Sequence, residues 1–137
     1  GGMKGDQMSK MDANAFGGFD ASQAAAFSAD AVGGMKGDQM SKMDADAFGG
    51  FDASQAAAFS ADAVGGMKAD QLSKMDATAF AGFDAHHIAA LTPEALSGFT
   101  ADQMEYLPPE ALAGFTADQM AMMDPGALPA LIKIKWL

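Results

Sequence analysis

The chain has 137 residues, half of them apolar, which is ordinary for one domain and enough for a continuous core. A formal charge of -10, with eight dispersed lysines, leaves no basic patch to displace counterions from phosphates and excludes a nucleic-acid partner. The absence of cysteine excludes disulfides and thiolate metal sites, and no apolar run approaches the ~20 residues a bilayer span requires.

From Gly2 the sequence divides into seventeen octads, without insertion or deletion, ending at Leu137. The start, Gly1-Gly2-Met3-Lys4, already lies inside the repeat and is neither an initiator nor a signal peptide. The chain therefore reads as a piece of something longer. Position 2 of the octad is a large apolar residue and position 7 usually another. Position 3 is mostly Thr, Ser, Asp or Lys, position 4 mostly Ala, Pro or Gly, and small residues fill most of positions 8 and 1. Residues 1–32 and 33–64 differ only at Asn14 and Asp46, and 65–96 opens as a looser copy. Each octad predicts one short helix followed by a turn, with Gly17-Gly18, Gly33-Gly34, Gly49-Gly50 and Gly65-Gly66 as the clearest breakers.

The helix start is clearest further along. In Leu91–Leu96, Thr92 is the N-cap, Pro93 the first helical residue and Glu94 an acid at the positive dipole end; Leu91 and Leu96 form a hydrophobic staple. Thr100 with Gln103, and Thr116 with Gln119, have capping-box spacing. In the N-terminal half Lys4, Lys36 and Lys68 occupy the cap place instead.

Position 6 alternates. Gln7, Gln23, Gln39, Gln55, Gln71, His87, Gln103 and Gln119 form one series, and Ala15, Ala31, Ala47, Ala63, Ala79, Ala95, Ala111 and Ala127 the other. This sixteen-residue period predicts two octads per coil. The Gln series would stack as a ladder on one side, and the Ala series would allow close packing on the other. An unbroken α-helix would rotate an eight-residue repeat by ~80° per copy, which leaves no coiled-coil seam. The composition lacks the β-branched residues of a β-solenoid, and the apolar residues recur too faithfully for disorder. Isolated helices this short do not survive in water, so each must be held by its neighbours. The fold class is all-α: a solenoid of very short helices over residues 1–129, with residues 130–137 as a separate end segment.

In that segment Ile132, Ile134 and Trp136 alternate with Lys133 and Lys135 before Leu137, a strand pattern. It reads either as a cap on the last coil or as an adhesive strand that pairs with another chain. The N-terminus has no comparable cap, so its coil would expose an apolar face and invite another subunit.

The octads Ala90–Leu96 (ALTPEAL), Gly98–Met104 (GFTADQM) and Gly114–Met120 (GFTADQM) resemble the tandem L-T-x-x-Q-Φ octapeptide arrays of large bacterial secreted and surface proteins of the haemagglutinin or haemolysin-like kind. The resemblance implies a repetitive stalk or adhesive region, extracellular or at the cell surface, and carries no catalytic residues.

No nucleophile motif, zinc-protease motif or P-loop occurs, and no enzyme activity or cofactor is expected. His86 and His87 are the one candidate metal pair, but adjacent helical residues face apart; His87 reads as a polar rung and His86 as solvent-facing. Twelve methionines suggest soft-metal chemistry. Eleven of them share positions 2 and 7 with Phe and Leu, as core residues do. The aspartates fall where helix N-termini want acids, and no calcium loop is present. The expected function is a structural repeat, a rigid spacer or self-assembling rod whose partners are copies of itself or neighbouring segments of a longer chain. The alternatives are a binding module presenting its Gln/Asp face to a glycan or peptide, and Met/His metal binding.

Overall fold

A computed structural model describes residues 4–122 of the chain. The end segment with Ile132, Ile134, Trp136 and Leu137 lies outside the described residues, as does Ala127. Among the described residues there are fifteen short helices and no strand, as the octad template predicts. Each octad supplies one helix of four to six residues, such as Gly37–Lys42, Ala53–Ala58 and Pro93–Leu96. Every fourth octad forms a 3₁₀ helix instead: Ala13–Gly18, Ala45–Gly50, Ala77–Gly82 and Pro109–Gly114. Among the described residues no helix is long and apolar enough to cross a membrane.

The helices begin where the side chains say they should. Thr100 Oγ1 accepts from the Gln103 N–H at 3.2 Å while Gln103 Oε1 accepts from the Thr100 N–H at 2.9 Å, closing the box. Asp52 and Gln55 close another at 2.9 Å in both directions. Lysine has no acceptor to offer a helix start. At Lys36 the return half of the box remains, from the Lys36 N–H to Gln39 Oε1 at 2.8 Å. The helix is completed from elsewhere: Asp62, 25 residues further on, reaches the Gly37 N–H at 3.0 Å.

The packing period differs from the expected sixteen residues. Every helix that packs on another does so three octads away: Gly5–Ser9 on Ala29–Gly33, Ala21–Ala25 on Ala45–Gly50, and so on to Pro93–Leu96 on Ala117–Met122. Hydrogen bonds between stacked segments span 25 residues at Asp62 and 28 or 31 at Gln55. This constant span is compatible with a solenoid whose turn takes about 28 residues, three and a half octads. The sixteen-residue period in the sequence counts kinds of octad. The size of the turn is set by how far each short helix bends the path.

Inside run positions 2, 6 and 7. From Met35 to Leu107 every position-2 residue is buried, as is every position-7 residue from Met8 to Met104. Seven of the eleven template methionines, Met8, Met35, Met40, Met43, Met67, Met75 and Met104, belong to this core. Phenylalanines meet edge to face within it, Phe48 with Phe51 at 5.6 Å and Phe51 with Phe59 at 5.1 Å between ring centres.

The glycine pairs behave differently from their reading as turn residues. None has positive φ among the described residues. What distinguishes them is crowding. A Cβ on Gly34, Gly50, Gly66, Gly82, Gly98 or Gly114 would overlap the carbonyl of the residue 29 places earlier, for example Ala21 beneath Gly50. The preceding glycines of the pairs, Gly33, Gly49 and Gly65, have ordinary room, 3.5 to 3.6 Å to the nearest atom. The second glycine therefore lets backbone rest on backbone, and the first does not.

Candidate functional site

Among the described residues the polar groups that recur regularly in the interior are those of the Gln series. Gln39, Gln55, Gln71, Gln103 and Gln119 are between 1% and 4% exposed, and His87 6%. Each Gln is the third residue of its helix, so its side chain folds back over the helix start. There Oε1 accepts the N–H of the cap residue. The other end of the carboxamide faces the preceding turn. Gln55 Nε2 donates to the carbonyls of Ala24 at 2.9 Å and Phe27 at 2.8 Å. The same pair of acceptors, 31 and 28 residues earlier, serves Gln39 (Met8 and Met11), Gln71 (Met40 and Met43), Gln103 (Leu72 and Met75) and Gln119 (Ile88 and Leu91). Those carbonyls sit where a short helix ends; the first of each pair also accepts a backbone N–H, as Ala24 does from Phe27 at 3.2 Å, and the second takes the Gln donor just past the helix end. One side chain thus closes the N-terminus of its own helix and the C-terminus of a helix one turn below. No buried side-chain nitrogen or oxygen among the described residues lacks a hydrogen-bond partner.

The expected exposed Gln face is therefore not a surface. Of the eight residues in that series, only Gln7 and Gln23 are exposed, and both lie in the first turn. The burial was hard to foresee because the partner is main chain, which leaves no mark in a pattern of side chains. The capping-box spacing Thr100–Gln103 was the available signal that the carboxamide turns inward.

His87 takes the Gln place with a different reach. Its Nε2 lies 2.8 Å from the Phe59 carbonyl and its Nδ1 accepts from the Asp84 N–H at 3.0 Å. These contacts assign the tautomer with the proton on Nε2. Imidazole holds only one of the two carbonyls a Gln would hold. His86 is exposed on the other side of the helix, so the two rings do not converge. Among the described residues no three His, Cys, Asp or Glu side chains gather as a metal site would require.

The Asp84 carboxyl is held below the ordinary value of 3.8, first by the His87 N–H it accepts, against the opposing effect of desolvation, and then by the His87 imidazole, the His86 N–H and the His86 imidazole. A depressed acid contributes stability that is present above its unfolded value and lost as pH falls through its folded one. The Asp84 titration followed by NMR should accordingly have a midpoint below 3.8, and the helix Ala85–Ala90 should loosen only as pH falls beneath that value. A midpoint at or above 3.8 would remove the cap from this account.

Comparison with protein-family models, with curated proteins and with solved structures returns no match for this chain.

Proposed function

We infer that the chain is a structural repeat, a spacer or self-assembling rod rather than an enzyme. The observation that supports this reading is the Gln carboxamide, which ties each Gln-bearing octad of the interior to the turn before it. The residues that repeat are those that hold turn on turn: Gln or Ala at position 6, Gly at position 1, apolar groups at positions 2 and 7. Repetition of this kind makes length the adjustable property of the molecule. In the setting that the octapeptide resemblance implies, a bacterial secreted or cell-surface protein, such a rod would hold other parts of a longer chain at a distance. Its acidic surface would keep neighbouring copies from collapsing on one another.

A deletion of residues 33–64 tests the reading. The shortened chain should still melt cooperatively, at a somewhat lower temperature, and its longest dimension in solution X-ray scattering should shrink in proportion to the octads removed. A shortened chain that no longer folds, or a particle whose length does not follow octad number, would reject the spacer role.

A further inference from the structure

We propose that the chain is an extensible tether, which under tension along the stack releases one turn at a time and rewinds when the tension falls. This rests on the reading of the chain as a spacer and states how that spacer answers a load. Every tie between turns is short. Among the described residues each packed pair of helices lies three octads apart, and none packs across a longer stretch. Hydrogen bonds between turns span 25 to 31 residues, and Gly50 rests on Ala21 within the same span. Among those residues no contact fastens one end of the stack to the other, and the sequence has no cysteine to link turns covalently. A turn that leaves breaks only its own seam, and the turns beyond keep their core and their bonds.

The seams are close to equal. Gln39, Gln55, Gln71, Gln103 and Gln119 each hold two main-chain carbonyls of the turn before, at 2.7 to 3.0 Å. One seam is lighter, because His87 holds the Phe59 carbonyl alone where a Gln would hold two. The turn that His87 closes is therefore the first to part among neighbours under equal load. Heat weakens all seams together, whereas tension takes them one after another. A turn of about 28 residues holds roughly 95 Å of extended chain, against about 9 Å in the stack. Rewinding closes a loop of the same short length onto a neighbour that is still folded, which keeps the entropic cost small and the return fast.

Stretching single molecules of the full chain tests the tether, with Asp6→Cys and Asp118→Cys as the points of attachment. Both places are exposed, and the chain has no other thiol. Extension is expected in even steps of roughly 85 Å, one for each turn released, and relaxation should retrace them. His87→Gln should raise the lowest of the step forces and leave the step size unchanged. Release of the whole stretch between the two thiols in a single step would overturn the proposal. So would steps of scattered size, or step forces indifferent to His87→Gln. Single-step release, in a chain whose 33–64 deletion still shortens in proportion to its octads, would leave the spacer reading standing.

Discussion

Gly50→Ala is expected to lower stability by at least about 3 kcal/mol, or to prevent folding, while Gly49→Ala beside it is neutral or slightly stabilising. The two residues share a helix end and differ in what lies beneath them. The Gly50 Cα rests against Ala21, so a methyl group there must lift one turn off another. Main chain on both sides of the contact leaves no flexible side chain to move aside. Gly49 has 3.5 Å to the Lys74 carbonyl, which a methyl group tolerates, and the equivalent place four and six octads later is already Ala or Ser, at Ala81 and Ser97. Replacing a glycine of ordinary φ by alanine also removes freedom from the unfolded chain, worth about 0.4–1 kcal/mol. Thermal melts of the two variants decide the matter. Equal melting temperatures would mean that the close approach yields to a methyl group.

Gln55 is the second place where one atom matters. Gln55→Ala deletes the hydrogen bonds to the Asp52 N–H and to the carbonyls of Ala24, Ala25 and Phe27; it strands the Asp52 N–H and the Phe27 carbonyl, while the Ala24 carbonyl keeps the Phe27 N–H. The expected loss is about 2–4 kcal/mol, because stranded buried groups forfeit their hydration as well as the bond. Gln55→Glu should be worse at neutral pH. It keeps the shape but sets a carboxylate against two carbonyl oxygens, with no donor between them. Its pH dependence gives the diagnostic. The buried acid has a raised folded pKa, so this variant should gain stability as pH falls and a proton restores one donor. Gln55→His should be the mildest of the three, since His87 already occupies an equivalent place with its ring between Asp84 and Phe59. Chemical denaturation at two pH values measures all three, and a Glu variant indifferent to pH would show that water reaches the site.

Much of the local structure is legible in the sequence. The octad, its apolar positions 2 and 7, and the Thr92, Thr100 and Asp52 helix starts follow from spacing alone, because capping and burial are local or periodic effects. The size of the turn does not. The alternation of Gln7 with Ala15 suggests sixteen residues, whereas Gln55 bonds Phe27 across 28. Periodicity of residue type reports which octads are alike. The angle through which each octad bends the path accumulates from backbone dihedrals that many sequences share. The glycines show the same division. Gly49 and Gly50 are identical letters in identical copies, and only the neighbour brought up from Ala21 separates a permissive place from an obligatory one.

The spacing of packed helices also imposes a counting rule on the chain. Octads whose helices pack are three apart, an odd number, while Gln and Ala alternate from each octad to the next. Every such helix pairing therefore joins one octad of each kind, as in the pairing of Ala53–Ala58, which carries Gln55, with Ala77–Gly82, which carries Ala79. The hydrogen bond from Gln55 to Ala24 and the approach of Gly50 to Ala21, in contrast, reach four octads back, to one of the same kind. An insertion of two octads leaves this parity intact wherever it falls. A single added octad would set Gln against Gln on one side of the junction and Ala against Ala on the other. The gene can lengthen freely, but only in even steps.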